Sequence, residues 1–147
     1  MMEKEKRIGF EIKTLANLIG REIGRSGSGK YVADATGTNG FVIGYLADHA
    51  GEEVFGRDLE EYFSVRRSTM SNIILRMEQK GFLTRTPVAY DARLKKLTLT
   101  EKGMQIDAIM KDAIGDAEEK LCRGFSGEEM ALLFSFLERM RRNLDDE

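Results

Sequence analysis

The apolar pattern of this chain changes period across a single glycine, and that change limits the folds open to it. Met70, Ile73, Ile74 and Met77 recur at three- and four-residue spacing, the stripe of an amphipathic helix. Beyond Gly81, Leu97 and Leu99 alternate with Lys96, Thr98 and Thr100, the pattern of a half-buried strand. Gly81 stands where a helix closes through a left-handed residue. "FLTRT" and "LKKLTLT" read as the strands of a hairpin, and "PVAYDAR" between them, with the chain's one proline, as its tip. Upstream, "GEEVF" reads as a turn with a short strand, and "GRDLEEYF" as a short helix turning Leu59, Tyr62 and Phe63 inward. "SVRR" joins it to the stronger helix. Helix, tight turn, helix and hairpin over residues 55–103 make a winged helix-turn-helix.

The flanks are helical. Ile8, Ile12, Leu15, Ile19 and Ile23 stripe a helix over about residues 4–24, and "TGTNGFVIGYLADHAG" starts another with Thr36 as its N-cap. Ile106, Ile109, Ala113, Ile114, Ala117 and Leu121 share one face of a long helix over about 101–122. "SGEE", Ser126 to Glu129, is a capping box. It opens a last helix turning Met130, Leu133, Phe134, Leu137 and Met140 inward. The expected fold is mainly α with a small antiparallel β wing (α+β). Residues 1–147 form one domain, with a winged helix-turn-helix lobe at 36–100 flanked by N- and C-terminal dimerisation helices at 4–24 and 101–143. These helices carry more apolar stripe than one lobe can cover, and the surplus points to an isologous homodimer.

"GRSGSGKY", residues 24–31, holds most of a phosphate-binding loop, Gly-x-x-x-x-Gly-Lys. Such a loop follows a strand, opens directly into a helix and has Ser or Thr after the lysine. Here a helix precedes it and Tyr31 follows the lysine, so the glycines read as a turn between helices. No nucleophile–base pair and no paired carboxylates form a recognisable motif, so no enzyme is expected. His49 stands without a second His or clustered ligands, and neither metal nor cofactor is expected. Cys122, the single cysteine, reads as a packing residue. With no apolar run of membrane-spanning length and no secretory h-region in "MMEKEKRIGFEIK", the expected home is the cytoplasm, away from the membrane.

The net charge of −2 conceals a partition: residues 57–103 carry a net +4 and residues 104–147 a net −5. That asymmetry offers one face to an anionic partner. On the second helix of the helix-turn-helix, Arg67, Ser68, Thr69, Ser71, Asn72 and Arg76 point outward, with Arg66 just ahead of them. Asn pairs bidentately with adenine and Arg with guanine, while hydroxyls serve phosphate or either base. The hairpin adds Arg85, Arg93, Lys95 and Lys96, and arginine is favoured in a narrow minor groove. Double-stranded DNA is the expected partner. A winged helix used for protein–protein contact, without sequence-specific DNA binding, stays open as the alternative.

Over nearly its whole length, and in order, the chain resembles the MarR-type (multiple antibiotic resistance regulator) transcription factors. "DARLKKLTLTEKG", residues 91–103, is similar to the family's wing and the start of its fifth helix. "RRSTMSNIILRMEQKGFLTR", residues 66–85, is similar to its recognition helix running into the wing, and "TGTNGFVIGYL" to its second helix. The resemblance implies homodimers joined through the first and last helices, a pseudopalindromic operator, repression as the expected output, and a small-molecule effector bound between the dimerisation and DNA-binding parts. It implies a wing braced by Asp91, Arg93 in the minor groove, and Ser68, Thr69, Ser71 and Asn72 facing the major groove. Tyr31 and Tyr45 are the expected polar-tipped walls of an effector pocket lined by the first, second and fifth helices. Three departures stand out. Arg66 occupies the place where many members have a Ser or Thr N-cap, and Asn39 that of a common Gln. The first helix has no cysteine like those that sense peroxides in some relatives.

Overall fold

The computed structural model describes residues 6–26 and 38–145. In chain order, these residues form α1 (Ile8–Ser26), α2 (Thr38–Asp48), α3 (Gly56–Phe63), α4 (Arg67–Gln79), β1 (Leu83–Val88), β2 (Asp91–Leu99), α5 (Glu101–Leu121) and α6 (Gly127–Asp145). Thr36, Tyr31 and most of the Gly/Ser stretch lie outside the described residues.

The winged helix-turn-helix is built around α4. Met70, Ile74 and Met77 are buried on its inner face, each worth about 1.5–3 kcal/mol when fully removed from water. They pack with Leu59 of α3, Val42, Ile43 and Leu46 of α2, Phe82, Leu83 and Leu97 of the hairpin region, and Ile106 and Met110 of α5. The α3–α4 turn runs through Ser64 in the left-handed region (φ 52, ψ 47), where the Val65 N–H reaches the Glu60 carbonyl at 3.0 Å. The carboxylate of Asp58 accepts from the Phe55 N–H at 2.8 Å and closes the start of α3. Tyr62 departs from expectation and is 61% exposed. In a helix of eight residues the inward face is narrow; Leu59 and Phe63, four apart, occupy it, and Tyr62 falls beside it.

Gly81 ends α4 as its sequence position foretells. At φ 79 it lets its own N–H reach the Glu78 carbonyl (3.0 Å) and the Phe82 N–H reach the Met77 carbonyl (2.9 Å), the paired bonds of a Schellman turn. The strands run further than expected. Pro87 and Val88 belong to β1 and Asp91 to β2, so the tip shrinks to Ala89 and Tyr90. Proline is tolerated there because the ladder is irregular at that point. Pro87 pairs with Lys95 but Val88 with Asp91, so Ala92, Arg93 and Leu94 face no β1 residue in that register. "GEEVF" forms no strand of its own; it contributes one ladder-like bond, from the Leu97 N–H to the Val54 carbonyl at 2.7 Å.

Thr100 joins wing to α5. Its hydroxyl oxygen accepts from the Gly103 N–H at 3.1 Å, and the same hydroxyl donates to the Gly81 carbonyl. Gly103 is buried against the Phe82 carbonyl, where a Cβ has no room. Leu-Thr-x-x-Gly is thus a cap followed by a close approach.

The outer helices meet the lobe only in part. Ile19 and Ile23 of α1 join the core, and Lys120 of α5 bonds Glu22 at 2.9 Å, but Ile8, Ile12 and Leu15 are exposed. The Ser126–Glu129 capping box forms in both directions, with bonds of 2.9 and 3.1 Å. Yet α6 buries none of its residues, and Leu133, Phe134 and Met140, expected inward, are exposed along with Leu121 of α5. Met130 and Leu137 are half-buried; the rest of the stripe finds nothing to pack on among the described residues of one chain.

Candidate nucleic-acid interface

Because Met70, Ile74 and Met77 take one face of α4, the helical period leaves the opposite face to Arg67, Ser68, Thr69, Ser71, Asn72 and Arg76, and all six are exposed. Arg66, also exposed, precedes them with extended backbone and no side-chain bond to the first turn. Arg66 gives the N–H groups of that turn no side-chain cap, so the positive end of the helix faces the same surface, an end that favours an anion.

The hairpin presents its arginine from the irregular stretch of β2. Arg93 is 91% exposed in its side chain. Its backbone N–H and Nε donate to Asp91 Oδ1 at 2.9 and 3.2 Å, and Nη2 to Oδ2 at 3.4 Å. These bonds hold the Asp91 carboxyl below its ordinary pKa. Tyr90, at the tip, donates its hydroxyl to Glu53 at 2.9 Å and fastens the wing to the loop ahead of α3.

Arg85 is placed differently. Its Nε and Nη2 fork onto both oxygens of Glu78, so this arginine is engaged within the protein. The pairing draws the Glu78 carboxyl down and the Arg85 guanidinium up from their ordinary values. Lys95 is exposed on β2, whereas Lys96 lies beside the loop after α2.

Between α3, α4 and the hairpin runs a groove of about 420 Å³. Arg67, Arg85, Arg93 and Lys95 line it together with Ser71, and a residue that sequence reasoning left unplaced, Arg57, completes the basic wall. Arg57 sits 5.7 Å from the centre of the Phe55 ring, which orients its guanidinium. Glu60 is the acidic member of the lining. Asn72 and Arg76 lie outside the groove, on the outward face of α4.

Tyr45 lies elsewhere, half-buried in a smaller groove formed by α2, α3 and α5. Its ring stacks on His49 (centroids 3.9 Å apart) and tilts against Tyr62 (4.7 Å). The expected α1 wall is replaced by α3, through Tyr62 and Phe63, among the described residues. Tyr31 lies outside the described residues. Among them no group of three or more His, Cys, Asp or Glu is placed to hold a metal ion, and no helix is long and apolar enough to cross a membrane.

Comparison with known proteins agrees with this geometry. A model of the MarR family matches residues 34–94. The crystal structure of the transcription regulator MarR from Oenococcus oeni PSU-1 is 32% identical, covers 92% of this chain and 99% of its own, and superimposes with a TM-score of 0.76. The S. aureus MepR–DNA complex shares the fold at 21% identity, covering 95% of this chain and 99% of its own, with a TM-score of 0.83. YybA of Bacillus subtilis (strain 168), an uncharacterized HTH-type transcriptional regulator, is 30% identical over 87 residues, a match that spans 59% of this chain and 58% of that relative.

Proposed function

The chain belongs to the MarR family of transcription regulators, and we propose that it works in the cytoplasm as a homodimeric, sequence-specific DNA-binding regulator, a repressor whose hold on a pseudopalindromic operator is set by a small ligand. The observation that carries this reading is the continuity of the basic groove with the exposed face of α4. Five cationic side chains from α3, α4, β1 and β2 line one groove, while the acidic excess lies in the C-terminal helices. Arg66 and Arg67 with the first turn of α4 position the phosphate backbone. Ser68, Thr69, Ser71, Asn72 and Arg76 meet base edges in the major groove, and Arg93, braced by Asp91, enters the minor groove. Lys95 adds positive charge along the groove, where the charge of Arg85 is answered by Glu78. The winged lobe spans residues 36–100. The helices at 4–24 and 101–143 supply the dimer, whose two recognition helices stand about one DNA turn, ~10 bp, apart.

The test is selection of bound fragments from the host genome, followed by a salt titration of the recovered site. Phosphate contacts require the affinity to fall with a slope near 0.9 per contact. Binding that recovers no common sequence, or that ignores salt, would leave the winged helix as a protein-contact module.

A further inference from the structure

The groove around Tyr45 has a charge that restricts what can enter it. One wall is aromatic, formed by Tyr45 stacked on His49 and met by Tyr62. The other holds three charges. Asp107 is 5% exposed, and its Oδ2 lies 3.0 Å from Lys111 Nζ; the same ammonium lies 3.1 Å from Asp48 Oδ1. One lysine therefore answers two carboxylates, and the cluster keeps a net charge of −1. Burial first, then the carboxylates of Asp58 and Glu52, hold the Tyr45 phenol above its ordinary pKa. An aromatic acid entering here would bring another negative charge to a lysine already taken. A cation with a flat apolar body would meet the negative faces of the rings and the carboxylate excess together.

We infer that this groove takes an organic cation with an aromatic body in preference to an aromatic acid of the same size. The inference rests on the reading above, in which a ligand bound between the two parts of the molecule sets operator affinity, and it names the class of that ligand.

Trimethylphenylammonium and benzoate carry the same ring and opposite charges, so calorimetry with each on the full-length protein isolates the sign. The cation should bind at least about tenfold more tightly. Asp48→Asn and Tyr62→Leu change side chains that are largely exposed in the chain, and each should weaken the cation about threefold or more; Asp48→Asn should leave benzoate binding equal or tighter, and Tyr62→Leu should weaken benzoate less than the cation. Circular dichroism and sedimentation establish that the variants are folded. Equal or tighter binding of benzoate, no binding of the cation, or cation binding that survives both substitutions overturns the inference. Operator binding by the same preparation separates the two readings. Protein that binds DNA yet prefers benzoate refutes the cation assignment alone. Protein that binds the cation through Asp48 and Tyr62 but no DNA fragment refutes the regulator reading alone.

Discussion

Glu78, in the last turn of α4, receives Nε and Nη2 of Arg85 on β1 at 3.0 and 2.9 Å. Recognition helix and wing are thereby clamped at an angle that the Schellman turn at Gly81 alone would leave softer. Both side chains are partly exposed, so the fork matters for orientation more than for stability. Glu78→Gln should weaken operator binding about two- to fivefold, with an unchanged salt slope because no phosphate contact is lost. A gain in affinity with a steeper slope would show instead that the released Arg85 serves the DNA directly.

The same pair predicts an acid-side effect. The Glu78 carboxyl is depressed by its bonds to Arg85. Its contribution is therefore complete above the unfolded pKa, roughly 4.3, and is lost as pH falls through the folded value. Melting curves between pH 7 and pH 3 should show a part of the acid destabilisation that is missing in Glu78→Gln. Parallel curves for the two proteins would assign that loss to other carboxylates.

Arg93→Ala should lower operator affinity about five- to a hundredfold, the range of a good base-edge contact, without altering folding, since the side chain is almost wholly in solvent. Asp91→Asn tests the brace. Arg93 keeps its charge but loses its paired partner, so affinity should fall by less than in Arg93→Ala. Parent-like binding by the alanine variant at matched salt would remove Arg93 from the interface.

These residues also show what one dimension conceals. The individual elements are legible because they rest on local rules: the period switch at Gly81, the capping box at Ser126 and the inward stripe of α4 each need only neighbours a few residues away. The clamp is not. Glu78 and Arg85 are seven apart and belong to different elements, and only the turn at Gly81 brings them together. Arg57 was counted as charge but not placed, because its position in the groove depends on how α3 crosses the hairpin. Tyr62 was misplaced because an apolar period cannot tell the centre of a short helix face from its margin. The tip reads too wide in the sequence because turn-type residues such as Pro87 carry no sign of the irregular register that keeps Pro87 paired with Lys95.

Gly103→Ala should destabilise the fold by about 1–3 kcal/mol, the cost of overpacking a filled core. The new methyl would strike the Phe82 carbonyl, a backbone group with little freedom, and would stand 2.9 Å from Leu99 Cδ2. Denaturant unfolding measures this directly. An unchanged midpoint would mean that α5 can slide along the wing.

Removal of residues 126–147 should yield monomers or aggregates in sedimentation and abolish tight operator binding. The exposed face of α1, including Phe10 (68%) and Leu18 (52%), would lose its proposed cover. A truncated chain that remained a soluble dimer with full affinity would place the interface elsewhere.

A helix that buries none of its own chain also sets a condition on dilution. If α6 is ordered only against a second copy, folding and meeting are one bimolecular event, and the melting temperature must climb with protein concentration. Dilution then acts on this molecule as heat does. A cell holding few copies holds a larger share of them with a terminal helix open to proteolysis, so abundance and lifetime rise and fall together.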